Sequence, residues 1–213
     1  MDEEILIIFE EAKKCTRCYG NISLHVPLPD EKNGGIDAKI LFLVERPGRI
    51  GTGKSGRISF ENEDPTAEFF RDLFFSIGIN RRNIFITNAV LCHPIIVGYK
   101  DTPVSTEELK NCLYFLERQI KTIRPKLIIT LGTKPLQAIK YLYPHRITLK
   151  KFKLKNNIGE VITDELPFIY PLYHTSLRAR LTRAADKQRD DWSIIPKIFK
   201  EAEDRWSTER RKK

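Results

Sequence analysis

Cysteine is scarce in this chain: only four occur in 213 residues. Cys15-x-x-Cys18 lies near one end, and Cys92 and Cys112 follow far downstream. One short pair with two remote partners is not the dense pattern of a secreted disulfide framework. Long apolar runs are lacking too, since none approaches the ~20 residues that a membrane-crossing helix needs. The opening stretch MDEEILIIFEEAKK has no basic segment ahead of its apolar residues, so no secretory leader is expected and a cytoplasmic protein is. Internal repeats and low-complexity segments are absent, which excludes solenoids and linker arrays. Acidic residues are the minority, 28 against 37 Lys and Arg, for a net charge of +9. That balance points to an anionic partner, nucleic acid first. Part of the excess sits in a basic tail, about 205–213, which reads as a frayed, solvated end.

Four thiolates drawn from distant segments are a ligand set for a structural iron–sulfur cluster, with tetrahedral zinc as the rival. Scattered cysteines, each a small buried hydrophobe, are the third possibility.

The rest of the chain alternates strand and helix signals. Residues 3–14 form a short amphipathic helix, and Lys39–Glu45 is a continuous apolar run ending in Pro47-Gly48, as a buried strand feeding a loop would. Asp64-Pro65 opens a helix with an N-cap and a proline at its first position; its stripe is Phe69, Phe70, Leu73, Phe74 and Ile77, and Gly78 ends it. Strands follow at 84–90, 127–131 and 167–173. Ser105-Thr106-Glu107-Glu108 has capping-box spacing ahead of a helix through Cys112, and Gly132-Thr133 turns into another. Residues 147–163 read as a basic strand pair, and the segment after the last strand as helical. The expected architecture is a single α/β domain over 1–213, a three-layer α/β/α sandwich around a mostly parallel four-stranded sheet. Ligands in such folds bind at the carboxyl ends of the strands, where three polar groups fall: Glu45, Asn88 and His174.

Several ordered segments resemble the uracil-DNA glycosylase superfamily, especially its iron–sulfur branch, families four and five. Val44-Glu45-Arg46-Pro47-Gly48 looks like the family's GEAPG loop, and Ser55-Gly56-Arg57 followed by Phe60 resembles GRPF. Ile86-Thr87-Asn88-Ala89-Val90-Leu91-Cys92 is similar to ITNVVKC. Arg124-Pro125-Lys126-Leu127-Ile128 with Leu131-Gly132 resembles RPKLIVLLG, and Tyr173-His174-Thr175-Ser176 resembles YHPA. The resemblance spans about residues 15–183. It implies a [4Fe–4S] cluster on Cys15, Cys18, Cys92 and Cys112, and a nucleoid-associated, prokaryotic-type DNA repair glycosylase. That enzyme flips a deaminated base, uracil above all, out of DNA and hydrolyses its glycosidic bond to leave an abasic site. No lysine stands in a recognisable nucleophile motif, so a monofunctional hydrolase is expected, with a monomer as the default for an enzyme that must straddle DNA.

The chemistry assigns roles to these residues. Cleaving the bond builds positive charge on the sugar and negative charge on the departing base. Glu45 would orient water and offset the sugar's charge; the alternative is a strand-end carboxylate paired with Arg46 or Arg49. His174 would donate to the uracil oxygen, acting as an oxyanion-hole group does; the alternative is a histidine satisfied by backbone. The Asn88 amide both accepts and donates, which suits the imide edge of uracil, unless it merely shapes a turn. Phe60 would stack on the flipped base, although the usual aromatic slot of the motif holds Ser59, and a plain core phenylalanine is the alternative. Backbone around Pro47 and Gly48 would contact substrate. Arg57, Ser176, Arg178 and Arg180, with Arg183, would meet phosphates beside a wedge at Leu177.

The match has departures. Arg46 puts a bulky charge beside the water site, Thr175 replaces the family's proline, and Leu91–Gly98 differs from KCRPPGNR. These leave open the same fold acting on hypoxanthine or mismatched thymine, or a non-catalytic iron–sulfur DNA-binding protein. His93, beside Cys92, reads as a supporting group near the cluster, with capture of the sugar as the remoter alternative.

Overall fold

The computed structural model describes residues 2–95 and 102–211. Four apolar runs become one sheet: β1 (Ile40–Val44), β2 (Ile84–Asn88), β3 (Leu127–Leu131) and β4 (Phe168–Leu172). They lie in the order β2-β1-β3-β4, each neighbour parallel. Every residue of β2, β3 and β4 is buried, as expected where helices cover both faces. The register sets Val44 beside Asn88, so β1 and β2 end level.

Besides a short turn at Thr52–Ser55, the α-helices among the described residues are α1 (Glu3–Lys13), α2 (Pro65–Ser76), α3 (Thr106–Ile123), α4 (Thr133–Leu142), α5 (Ile147–Lys151), α6 (Leu154–Asn157), α7 (Leu177–Arg180), α8 (Ala185–Ser193) and α9 (Ile195–Arg211). On one face, Phe42 of β1 stacks on Trp192 of α8 at 5.3 Å and meets Phe70 of α2 edge-on at 5.2 Å. On the other, α1 packs on α3 and α3 on α4, and Thr87 of β2 donates a 2.7 Å hydrogen bond to Gln119 of α3. Asn88, one residue on, therefore faces the α2 side.

Local chemistry fixes the helix starts. The Asp64 carboxylate accepts from the Thr66 and Ala67 amides at 3.0 and 3.1 Å, with Pro65 in the first turn. Ser105 and Glu108 close the capping box at 3.1 and 2.8 Å. Each cap contributes about 1 kcal/mol. Between β3 and α4 the chain turns through Gly132 at φ +106°, a left-handed conformation that favours glycine, and a Cβ there would sit 3.8 Å from that of His174.

Two expectations are corrected. Residues 147–163 do not form a strand pair; α5 and α6 stand there, and Ile162 makes a single antiparallel bridge to Ile169. The alternating Lys and Leu pattern imitates a strand. Leu149, Phe152 and Leu154 nevertheless bury as a group, and Lys140 of α4 donates to the carbonyls of Lys150 and Phe152 at 3.3 and 2.6 Å. Nor is the basic tail frayed: α9 continues to Arg211, with Arg205 bonded to Glu209 at 2.9 Å and to the carbonyls of Thr163 and Asp164. Lys212 and Lys213, like Ile96, Val97 and Gly98 of the departed loop, lie outside the described residues.

Candidate active site and cysteine centre

A cavity of about 330 Å³ opens at the carboxyl ends of β1 and β2, against the first turn of α2. Its wall brings together Val44, Arg46 and Gly48 from the loop after β1, Ser59, Phe60 and Asn62 from the stretch before α2, Ile86 and Asn88 from β2, and His174 and Thr175 from the loop after β4. Its size, and a wall in which apolar surface surrounds converging polar side chains, are those of a small-ligand site.

Asn88 is 1% exposed, and among the described residues its Nδ2 has no hydrogen-bond partner. An unmet donor in such a place costs about 1–3 kcal/mol, which a ligand oxygen would recover. His174 is held by its neighbour: the Ser176 amide donates to Nδ1 at 3.1 Å. Nδ1 is thus the acceptor, and the neutral ring carries its proton on Nε2. Burial pushes the imidazole's pKa down, while the carboxylates of Glu45 and Asp64 pull it up without prevailing. The ring is a neutral donor near pH 7. Ser176 also caps α7, its Oγ accepting from Ala179 at 3.4 Å.

Glu45 stands in the β1 loop just outside the lining, with Oε1 accepting from the Val104 amide at 3.0 Å. Arg46 pairs with Glu108, so the expected alternative of a carboxylate occupied by Arg46 is not what the loop builds. Arg46 still lines the cavity, but its guanidinium is bonded to Glu108 and Tyr19. Pro47 lies in the same loop, and the Gly48 carbonyl accepts from Gly53 at 2.8 Å and from Thr52 Oγ1 at 2.9 Å. Thr175, 1% exposed, donates to the Thr66 carbonyl at 3.1 Å and so ties the histidine loop to α2.

Phe60 lines the cavity but is 2% exposed. It lies nearly parallel to Phe70 at 5.6 Å, and the Arg81 guanidinium sits 4.4 Å over its ring. Any stacking by Phe60 extends an existing aromatic stack. Among the arginines, Arg178 is exposed, Arg57 is exposed and bonded to Glu31 at 3.1 Å, and Arg180 lies over Phe69 at 4.6 Å with Nη2 donating to the Pro65 carbonyl. Arg183 is tied to Asp191 at 2.6 Å. Leu177 is exposed, as a wedge would require. The His93 ring lies 4.9 Å from that of His25, tilted by 37°, and His93 does not line the cavity. Sequence reasoning missed Asn62, Asp64 and Thr66 as wall residues. Their position between the Gly56-Arg57 segment and the α2 N-terminus was the available signal.

The four cysteines line a second, smaller cleft, joined there by Ala12, Tyr19, Leu24, Leu91, Asn111 and Phe115. Cys15 and Cys18 follow α1, Cys92 follows β2, and Cys112 sits on α3. Burial, and then the neighbouring thiolates, push the Cys92 thiol up to about 12; burial does the same for Cys112. Such sulfurs keep their protons until a cationic body enters among them. Among the described residues no three His, Cys, Asp or Glu side chains are grouped as they would be around a single metal ion.

The profile of the Uracil DNA glycosylase superfamily matches residues 31–196. The chain is 30% identical over 186 residues to the type-4 uracil-DNA glycosylase of Saccharolobus solfataricus, covering 79% of this chain and 74% of that one. It is 27% identical over 211 residues to the type-4 enzyme of Sulfurisphaera tokodaii, covering 90% and 86%. It is 26% identical over 155 residues to the type-5 uracil-DNA glycosylase of Pyrobaculum aerophilum, covering 67% and 63%. With the profile over most of its length and relatives of these two types, the chain belongs to the uracil-DNA glycosylase superfamily.

Proposed function

We propose that this protein is a monofunctional uracil-DNA glycosylase, acting as a monomer of one domain on DNA that contains a deaminated base. The observation that carries the reading is the buried, unmet Nδ2 of Asn88 in the same cavity as the neutral His174. Uracil supplies the complement: a carbonyl for the Asn88 amide and a second carbonyl oxygen for His174. As the glycosidic bond lengthens, negative charge gathers on the base and Nε2–H of His174 donates to it. A preformed donor of this kind needs no reorganisation during the reaction. The proton stays on the imidazole, so the departing base leaves as an anion stabilised by a hydrogen bond.

Glu45 faces the other charge. The Val104 amide fixes one carboxylate oxygen and leaves the other to orient water and oppose the positive sugar. Phe60 ends the aromatic stack against which the base lies, and Gly48, with Pro47 before it in the loop, borders the pocket. The exposed Arg178 and Arg57, together with Ser176 and Arg180 around α7, take the phosphates beside the flipped nucleotide. The excess positive charge suits that partner.

Cys15, Cys18, Cys92 and Cys112 would hold a [4Fe–4S] cluster. Four buried or half-buried sulfurs converge on one cleft, and the thiols of Cys92 and Cys112 are raised. When bound, the cluster cross-links α1, the segment after β2 and α3, and so supports the loops of the neighbouring cavity.

The test is an oligonucleotide carrying one uracil opposite guanine, opposite adenine or unpaired, treated with protein and then hot alkali. Strand breaks with wild type that fall by orders of magnitude in His174→Ala, and by roughly 5- to 150-fold in Asn88→Ala, establish the reading. No break in any uracil context overturns it. Parallel oligonucleotides with hypoxanthine or a thymine mismatch then identify a different lesion, and tight DNA binding without excision identifies the non-catalytic alternative.

A further inference from the structure

We infer that Arg46 is a positioning residue for Glu45, acting through a buried ion pair with Glu108. The inference rests on the assignment of Glu45 to the water and the sugar. Arg46 follows Glu45 directly, and its side chain is only 6% exposed. Nη2 donates to the Glu108 carboxylate and to Tyr19 Oη at 3.1 Å, while Nη1 reaches the Thr102 carbonyl at 3.5 Å. The Tyr19 hydroxyl donates to the same carboxylate. Glu108 Oε2 accepts from the Ser105 amide at 2.8 Å in the capping box.

These bonds fasten one short segment at both ends. Arg46 holds the carbonyl of Thr102, and Glu108 holds the amide of Ser105. Between them the Val104 amide points at Glu45 Oε1. Two of the bonds that hold this donor's segment are thus made by the Arg46–Glu108 pair, beside those in which Ser105 accepts from the Glu108 and Leu109 amides. The pair also links the β1 loop to Tyr19, next to Cys18, and to α3, which carries Cys112.

Both partners stay ionised. Burial opposes the guanidinium's charge, but Tyr19 and Glu108 outweigh it and raise its pKa. Burial likewise opposes the carboxylate, and Tyr19, the Ser105 amide and Arg46 outweigh it and lower its pKa. Removing one member leaves an uncompensated buried charge, which moves the segment that carries Val104. A guanidinium contacting phosphate directly would act on substrate affinity. One acting through Val104 and Glu45 acts on the chemical step, where a small misplacement can cost about a hundredfold.

The test measures kcat and KM for uracil excision by Arg46→Ala, Arg46→Lys, Glu108→Gln and Tyr19→Phe, each in wild-type and Glu45→Ala backgrounds. Absorbance near 400 nm and thermal midpoints report folding and cluster content. Arg46→Ala is expected to lower kcat about tenfold or more with KM within about twofold. Glu108→Gln should do the same, the double variant should be no worse than the poorer single, and Arg46→Lys should recover part of the loss. In the Glu45→Ala background none of these changes should cost further activity. An equal loss in both backgrounds, a rise in KM alone, or an unchanged kcat overturns the inference. If Arg46→Ala does not fold, Tyr19→Phe and Glu108→Gln in the two backgrounds decide by the same criteria. If Glu45→Ala is as active as wild type, it is the assignment of Glu45 that fails, whatever Arg46 does.

Discussion

Replacing Asn88 by alanine should separate stability from activity. In the free protein the side chain is buried with its Nδ2 unpaired, a state that costs about 1–3 kcal/mol. Truncation removes that cost and forfeits a comparable amount of packing, so the thermal midpoint should stay within about 4 °C of wild type. Uracil satisfies the donor only when it enters, so the variant should lose the same 1–3 kcal/mol from kcat/KM. At about 1.4 kcal/mol per decade that is roughly 5- to 150-fold. Thr87→Val supplies the opposite case one residue earlier on β2. Thr87 donates to Gln119 at 2.7 Å on the far face of the sheet. Its loss leaves a buried acceptor unpaired, which should lower the midpoint by about 2–12 °C and leave excision intact. Differential scanning calorimetry and single-turnover excision would measure both. If Asn88→Ala melts early, as Thr87→Val should, and excision falls no further than that instability explains, the amide is structural and the argument from the unmet donor fails.

The pH dependence of His174 follows from its lowered pKa. Its folded value lies below the ordinary 6.5, so the stability it contributes is fully present above about pH 6.5 and is lost as pH falls through the lower folded value. The rate profile should therefore show no inflection from this histidine between pH 8 and 6.5, and one near 6.5 that vanishes in His174→Gln would contradict the neutral donor. Cys92→Ser should abolish absorbance near 400 nm and lower the melting temperature, and iron and sulfide analysis should fall with it; full retention of colour would remove Cys92 from the ligand set. Arg146, its side chain 1% exposed, donates to the Pro167 carbonyl at 2.8 Å and pairs with Asp164 and Glu165. Those carboxylates stay partly solvated, 34% and 43% exposed, so Arg146→Ala should cost about 1–3 kcal/mol, or roughly 2–12 °C, and leave kcat at 25 °C within about twofold.

What the sequence determined by itself was the pattern that needs only near neighbours. The apolar runs at 40–44, 84–88, 127–131 and 168–172 had to bury, and their alternation with helices left a parallel sheet as the economical answer. Asp64-Pro65 and Ser105–Glu108 marked helix starts because capping is settled within four residues. Glu45, Asn88 and His174 could be singled out because each ends a strand. The Lys-rich stretch 147–155 misled because its alternation imitates a strand, and only the face of α4 decided that Leu149, Phe152 and Leu154 bury as a helical group. Arg46 shows a second limit: sequence places it beside Glu45, and it does line the cavity, but its partners were not legible. Only the fold brings Glu108 and Tyr19 within reach, from 62 and 27 residues away, and turns it toward α3. The neutral state of His174, the unmet amide of Asn88 and the common cleft of the four cysteines likewise depend on burial. Burial is a property of the packed layers, which no window of sequence contains.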